Sequence, residues 1–148
     1  MFLIVTKIRV YLTHAHDLWE KHVAQFKGKV IILAFSYGGV IVLNLLRDIG
    51  TSFMENVTHI ACVDTVQDIN KHLGDNQVHR QLFAANAVLY KSGDQPLGSL
   101  IATEHDVYGC RVYSAGTTQH SLTPVTTKEL VFDYFKSNRT LISMCVLL

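Results

Sequence analysis

Residues able to run acyl chemistry occur in a fixed order along this chain: Ser36, then Asp64 and Asp94, then His120. A serine becomes a nucleophile when an imidazole takes its proton and a carboxylate orients that imidazole, so distant segments must fold together. Ser36 stands in Ala34-Phe35-Ser36-Tyr37-Gly38-Gly39. Small residues around such a serine allow a sharp turn from strand into helix, which holds the hydroxyl at the positive end of the helix. Here Ala34 replaces the first glycine of that pattern. The amide of Tyr37, the residue after the serine, is the oxyanion donor this geometry would supply. The plainer role for Ser36 is to cap the helix after an ordinary strand-to-helix turn.

His120 falls in a polar loop, residues 115–123, where no apolar spacing accounts for it. Its plainer role is a solvated loop histidine. Asp64 closes an apolar run, which places a carboxylate at the sheet's carboxyl edge beside the serine. Asp94, in Ser92-Gly93-Asp94-Gln95-Pro96, follows the strand that more usually carries the acid but also reads as a turn aspartate. The reading favours Asp64 as the acid, with Asp94 as the alternative.

The elements that must position these groups alternate. Trp19, Val23 and Phe26 sit at helical spacing in a helix from Asp17 that ends near Gly28. Val30 to Ala34 is a short continuous apolar run, the pattern of a parallel strand covered on both faces. A buried helix follows from Val40 to Leu46, then strands over Val57–Val63, Ala87–Tyr90 and Cys110–Ser114, with a helix over Val78–Ala85. Pro124 opens a last helix whose apolar face takes in Leu130, Phe132, Tyr134 and Phe135. Strands alternating with helices imply a mostly parallel sheet flanked by helices. Serine, acid and histidine after successive strands is the order of the α/β-hydrolase fold. Neither its first strands nor the early loop that supplies the second oxyanion donor is found before Asp17. The expectation is therefore a partial α/β-hydrolase-like sheet lacking the N-terminal strands, with an exposed edge and poor solubility without a partner.

Bulk composition narrows the classes of function. With 148 residues and 49% apolar content, one core is expected. Thirteen Lys and Arg against twelve Asp and Glu give a net charge of +1, so no direct nucleic-acid binding is expected. Three cysteines without Cys-x-x-Cys spacing argue against a disulfide framework or a zinc site, and no metal or cofactor is expected. Lys7 and Arg9 interrupt the apolar start too early for a signal peptide or spanning helix.

Four blocks carry a resemblance to a known family: Ala34-Phe35-Ser36-Tyr37-Gly38-Gly39, Val63-Asp64-Thr65-Val66, Ser92 to Leu97, and Ser114-Ala115-Gly116-Thr117-Thr118-Gln119-His120-Ser121-Leu122-Thr123. The sequence resembles the argonaute-binding, Arb-type domain of cotranscriptional regulators and silencing factors, from about Asp17 to Lys136. Phe35 and Gln67 stand where that family has histidines. The resemblance implies a hydrolase-like fold over residues 1–137 and roles in small-RNA silencing, heterochromatin and alternative splicing. It also implies argonaute and chromatin or splicing factors as protein partners, and placement in nucleus and cytoplasm. The favoured reading is a non-catalytic or weakly catalytic interaction protein. The alternatives are a serine hydrolase using Ser36 and His120 and a truncated, non-functional copy.

Residues 138–148 read as an apolar tail ending in Cys145-Val146-Leu147-Leu148, a formal prenylation box with terminal Leu. Lys136 and Arg139 make a thin basic second signal, whereas stable anchoring usually takes two. The chain is expected to stay free of membranes unless Cys145 is prenylated.

Overall fold

A computed structural model describes the backbone of residues 2–137 and 142–147, with side chains for 10–137. The chain opens with α1 (Phe2–Leu18), continues through a π-helical turn at Trp19–Val23, and enters β1 (Lys29–Phe35). Helix α2 (Gly38–Ile49) and a 3-10 turn (Gly50–Met54) lead to β2 (Val57–Val63). Two helices, α3 (Ile69–Leu73) and α4 (Gln77–Asn86), precede β3 (Ala87–Lys91), and the short α5 (His105–Tyr108) precedes β4 (Arg111–Ser114). A 3-10 turn at His120–Leu122, α6 (Thr123–Thr126) and α7 (Lys128–Lys136) follow, and β5 (Ile142–Leu147) completes the described chain.

The sheet is five-stranded, in the order β4-β3-β2-β1-β5, and every neighbouring pair of strands is parallel. Partial α/β-hydrolase-like architecture is what this parallel sheet with helices on both faces represents. The chain steps outward from β1 to β4 and then returns to the far side of β1. That reversal makes the carboxyl end of β1 a topological switch point, the place where open α/β sheets take ligands.

Alternation along the strands divides the core. Val30, Ile32 and Ala34 of β1, with Ile60 and Cys62 of β2, pack under α2, α4 and the first helix, where Trp19 and Phe53 bring their rings to 4.4 Å. Each large side chain buried there is worth about 1.5–3 kcal/mol of transfer free energy. Ile31, Ala61, Val63, Val88 and Tyr90 face the other way, against Val131 and Phe135 of α7.

Four expectations change. The first helix extends back to Phe2, well before Asp17. The buried stripe of α7 is Val131 and Phe135, one helical turn apart, whereas Phe132 is half exposed. The last helical stretch is two pieces, because the hydroxyls of Thr126 and Thr127 both bond back to the Thr123 carbonyl, at 3.2 and 2.7 Å, where the chain re-aims. The stretch read as a tail contributes β5, whose backbone runs beside β1 with Cys145 in register with Ile31. The Cys145 side chain and Leu148, and with them the prenylation box, lie outside the described residues.

Candidate functional site

β1 ends where Ser36 takes a left-handed backbone, φ 54°. A non-glycine residue there is strained, and a strained serine between strand and helix defines the nucleophile elbow. The turn is tied to the neighbouring strand: Ser36 N–H donates to the Val63 carbonyl at 3.2 Å, and Val66 N–H donates to the Ser36 carbonyl at 3.1 Å. Gly39 permits the start of α2 to approach the loop after β2, since a Cβ on it would lie 2.7 Å from Thr65 Cβ and strike the buried Gln67 amide. Ser36 itself is half-buried, and among the described residues its hydroxyl has no hydrogen-bond partner. The Tyr37 amide, which opens toward the helix start, likewise bonds to no described group.

Asp64 stands one strand over. Phe35 pairs with Val63, so Ser36 and Asp64 are the first residues past the ends of neighbouring strands. Asp64 is also left-handed, φ 43°, and its N–H donates to the Tyr90 carbonyl at 2.7 Å. Its Oδ1 accepts from Ser92 N–H at 2.9 Å, while Oδ2 lies 2.6 Å from His120 Nδ1. Burial alone would raise the carboxyl's pKa, but the Ser92 amide and the His120 ring outweigh it and hold the value below the ordinary range. A carboxylate can only accept, so Nδ1 carries the proton in this bond and Nε2 is left for another partner.

His120 is delivered by a stiffened loop. Gly93 N–H donates to the Thr117 carbonyl at 2.8 Å, the Thr117 hydroxyl accepts from Gln119 N–H at 3.1 Å, and the Thr123 hydroxyl donates to the His120 carbonyl at 2.8 Å. Gly116, at φ 64°, allows the loop to lie on Leu97, whose Cα would sit 3.1 Å from any Cβ there. The imidazole is half exposed and stacks on the Phe35 ring, with centroids 4.7 Å and planes 17° apart.

The fold thus brings Asp64 and His120 into contact and sets Ser36 and Tyr37 at the adjoining strand end. Asp94 is exposed on the loop after β3 and makes no hydrogen bond or ion pair among the described residues. The Phe35 stack and the Ser92 amide were not anticipated. The signal for Phe35 was available, since an aromatic directly before the elbow continues the face of Ile31 and Leu33 out to the sheet edge. Burial pushes the Cys62 thiol up to about 12 and also raises Cys110, so neither competes as a nucleophile at neutral pH. Among the described residues no cluster of His, Cys, Asp and Glu could hold a metal, and no helix is long and apolar enough to cross a membrane.

A parallel sheet, a strained serine elbow and an acid–imidazole pair after later strands define the class as α/β-hydrolase-like. The sequence is similar to the cotranscriptional regulator ARB2A of human and to its chicken homolog, each 28% identical over 123 residues, which is 82% of this chain and 29% of the relative. It is also 24% identical over 124 residues to the human putative protein ARB2BP, covering 83% of this chain and 34% of that one. These similarities bear out the resemblance to the Arb-type family read from the four blocks. The chain spans less than a third of the length of the ARB2A proteins it matches. No family model matches, and no solved structure does.

Proposed function

We propose that this chain is a protein-interaction module of cotranscriptional regulation, built on a hydrolase-like scaffold that does not turn over substrate at an appreciable rate. The observation that carries it is the state of His120. Its ring is held by Asp64 on one edge and stacked on Phe35, while the Ser36 hydroxyl lacks the imidazole contact that a general base requires. Fold alone does not confer activity, and the similarity to proteins named as cotranscriptional regulators supports a regulatory role in the nucleus. Argonaute and chromatin or splicing factors are the partners this reading assigns, with a cytoplasmic pool where argonaute acts.

A second reading rests on the 2.6 Å Asp64–His120 pair beside the elbow. In it Ser36 attacks an ester or amide carbonyl, His120 Nε2 takes the hydroxyl proton, Asp64 orients the ring and the Tyr37 amide stabilises the oxyanion. Labelling with a serine-reactive fluorophosphonate separates the two. The interaction reading expects no label that depends on Ser36, together with binding of purified argonaute that survives Ser36→Ala. Stoichiometric labelling lost in Ser36→Ala would establish the hydrolase instead.

A further inference from the structure

The sheet face opposite α2 carries a cavity of about 260 Å³ that shares no residue with the Asp64–His120 pair. Ile31 and Leu33 of β1, Val63 of β2 and Val131 of α7 line it. The exposed Lys128 and Phe132 lie at its rim. Along β1 it stops two residues short of Phe35.

We propose that this cavity binds a straight-chain carboxylate of medium length, with the alkyl chain inside and the carboxylate at the Lys128 ammonium. Among the described residues the lining is nearly all apolar, and the one hydroxyl among them, on Thr127, is already spent on the Thr123 carbonyl at 2.7 Å. Water has little to bond to in such a space. Apolar cavities of about 150 Å³ stay dry and take apolar guests, so this one is large enough for an alkyl chain. At roughly 30 Å³ for a water-sized group it accommodates about nine such groups, the bulk of an eight-carbon acid.

The head group follows from charge. Lys128 is the cation among the described lining residues, and its closest described anion is the adjacent Glu129, 3.9 Å away and beyond hydrogen-bond range. The lysine's own methylenes can lie along the apolar rim while its ammonium meets an anion in solvent. A carboxylate therefore gains where a neutral alcohol of equal length does not.

Titration of octanoate and of 1-octanol into the methyl-labelled full chain, followed by NMR, tests this. Octanoate should shift the methyls of Ile31, Leu33, Val63 and Val131 and bind roughly two- to fivefold tighter than the alcohol, as an exposed ion pair allows. Lys128→Gln should erase that difference and leave the alcohol unchanged, and Val131→Phe should abolish both by filling the space. If Val131→Phe does not fold, Phe132→Ser on the exposed rim should weaken both ligands alike. Absence of shifts at those methyls, or equal octanoate affinity in the wild type and Lys128→Gln, would overturn the proposal. Neither ligand is read through Ser36, so failure here leaves the interaction reading standing.

Discussion

Phe35 lies against the imidazole of His120, with ring centroids 4.7 Å apart, while the opposite demand on that imidazole comes from Asp64 at 2.6 Å. The ring is thus held by an aromatic from the strand that ends in the elbow and by a carboxylate from the next strand. The pair is a junction between β1, β2 and the late loop as much as a piece of chemistry.

Replacing Asp64 tests that junction. Asp64→Ala deprives the Ser92 amide and His120 Nδ1 of their acceptor together, and should destabilise the chain by about 1–3 kcal/mol in urea unfolding. The carboxyl's native pKa lies below its ordinary value of about 3.9, so its contribution is complete above that pH and is lost as pH falls through the native value. The difference between wild type and Asp64→Ala should accordingly shrink on acidification below about pH 4. A constant difference across that range would mean the carboxylate is not held as described.

A different constraint acts behind the serine. Any side chain at Gly39 meets Thr65 Cβ and the buried Gln67 amide, so Gly39→Ala should cost about 1–3 kcal/mol through overpacking. Gln67→Ala in the same chain should return part of that loss by opening space. Equal stability of the single and double variants, measured by thermal unfolding, would place the clash elsewhere.

His59 supplies a pH response of its own. It is buried beside Tyr134 and Phe135, with ring centroids 4.9 and 6.3 Å away, and burial lowers its pKa. The native state then binds fewer protons than the unfolded state, so stability rises with pH and this contribution falls away below the ordinary value of about 6.5. Unfolding free energies between about pH 7.5 and pH 5.5 should drop less in His59→Phe than in the wild type. An unchanged slope would assign the pH dependence to other groups, of which His72, also lowered by burial, is the first to examine.

How much of this was legible in the sequence depends on range. The strands from Val57, Ala87 and Cys110 and the elbow at Ser36 announce themselves through local apolar runs and small residues, and they fall within a residue or so of the observed elements. Helix α3 was missed although Asp68 caps it, accepting from the amides of Asn70 and Lys71, because a five-residue helix offers almost no periodicity. The residues of β5 look like a tail in the sequence, since an apolar run shows no partner until the edge of β1 that it pairs with is known. The Phe35–His120 stack is half legible: strand alternation carries the Phe35 ring to the sheet edge, but a side-chain contact across most of the chain leaves no spacing that names His120 as its partner. The end of an apolar run favours Asp64 over Asp94, and the backbone sets that end directly beside the elbow.

The elbow itself can be tested without reference to any substrate. Ser36 adopts φ 54°, a conformation that costs a residue with a Cβ roughly 1–2 kcal/mol, and its hydroxyl has no described partner to offset that cost. Removing the hydroxyl while keeping the Cβ should therefore change little, leaving Ser36→Ala within about 0.5 kcal/mol of the wild type. Ser36→Gly removes the Cβ and relieves the backbone, against the roughly 0.5–1 kcal/mol that glycine's extra freedom in the unfolded chain takes back. The balance leaves Ser36→Gly more stable than Ser36→Ala by about 0.5–1 kcal/mol in urea denaturation, a reversal of the usual ranking of the two residues. If Ser36→Gly is instead the less stable variant, the serine does not hold a left-handed backbone and the strand-to-helix turn is an ordinary one.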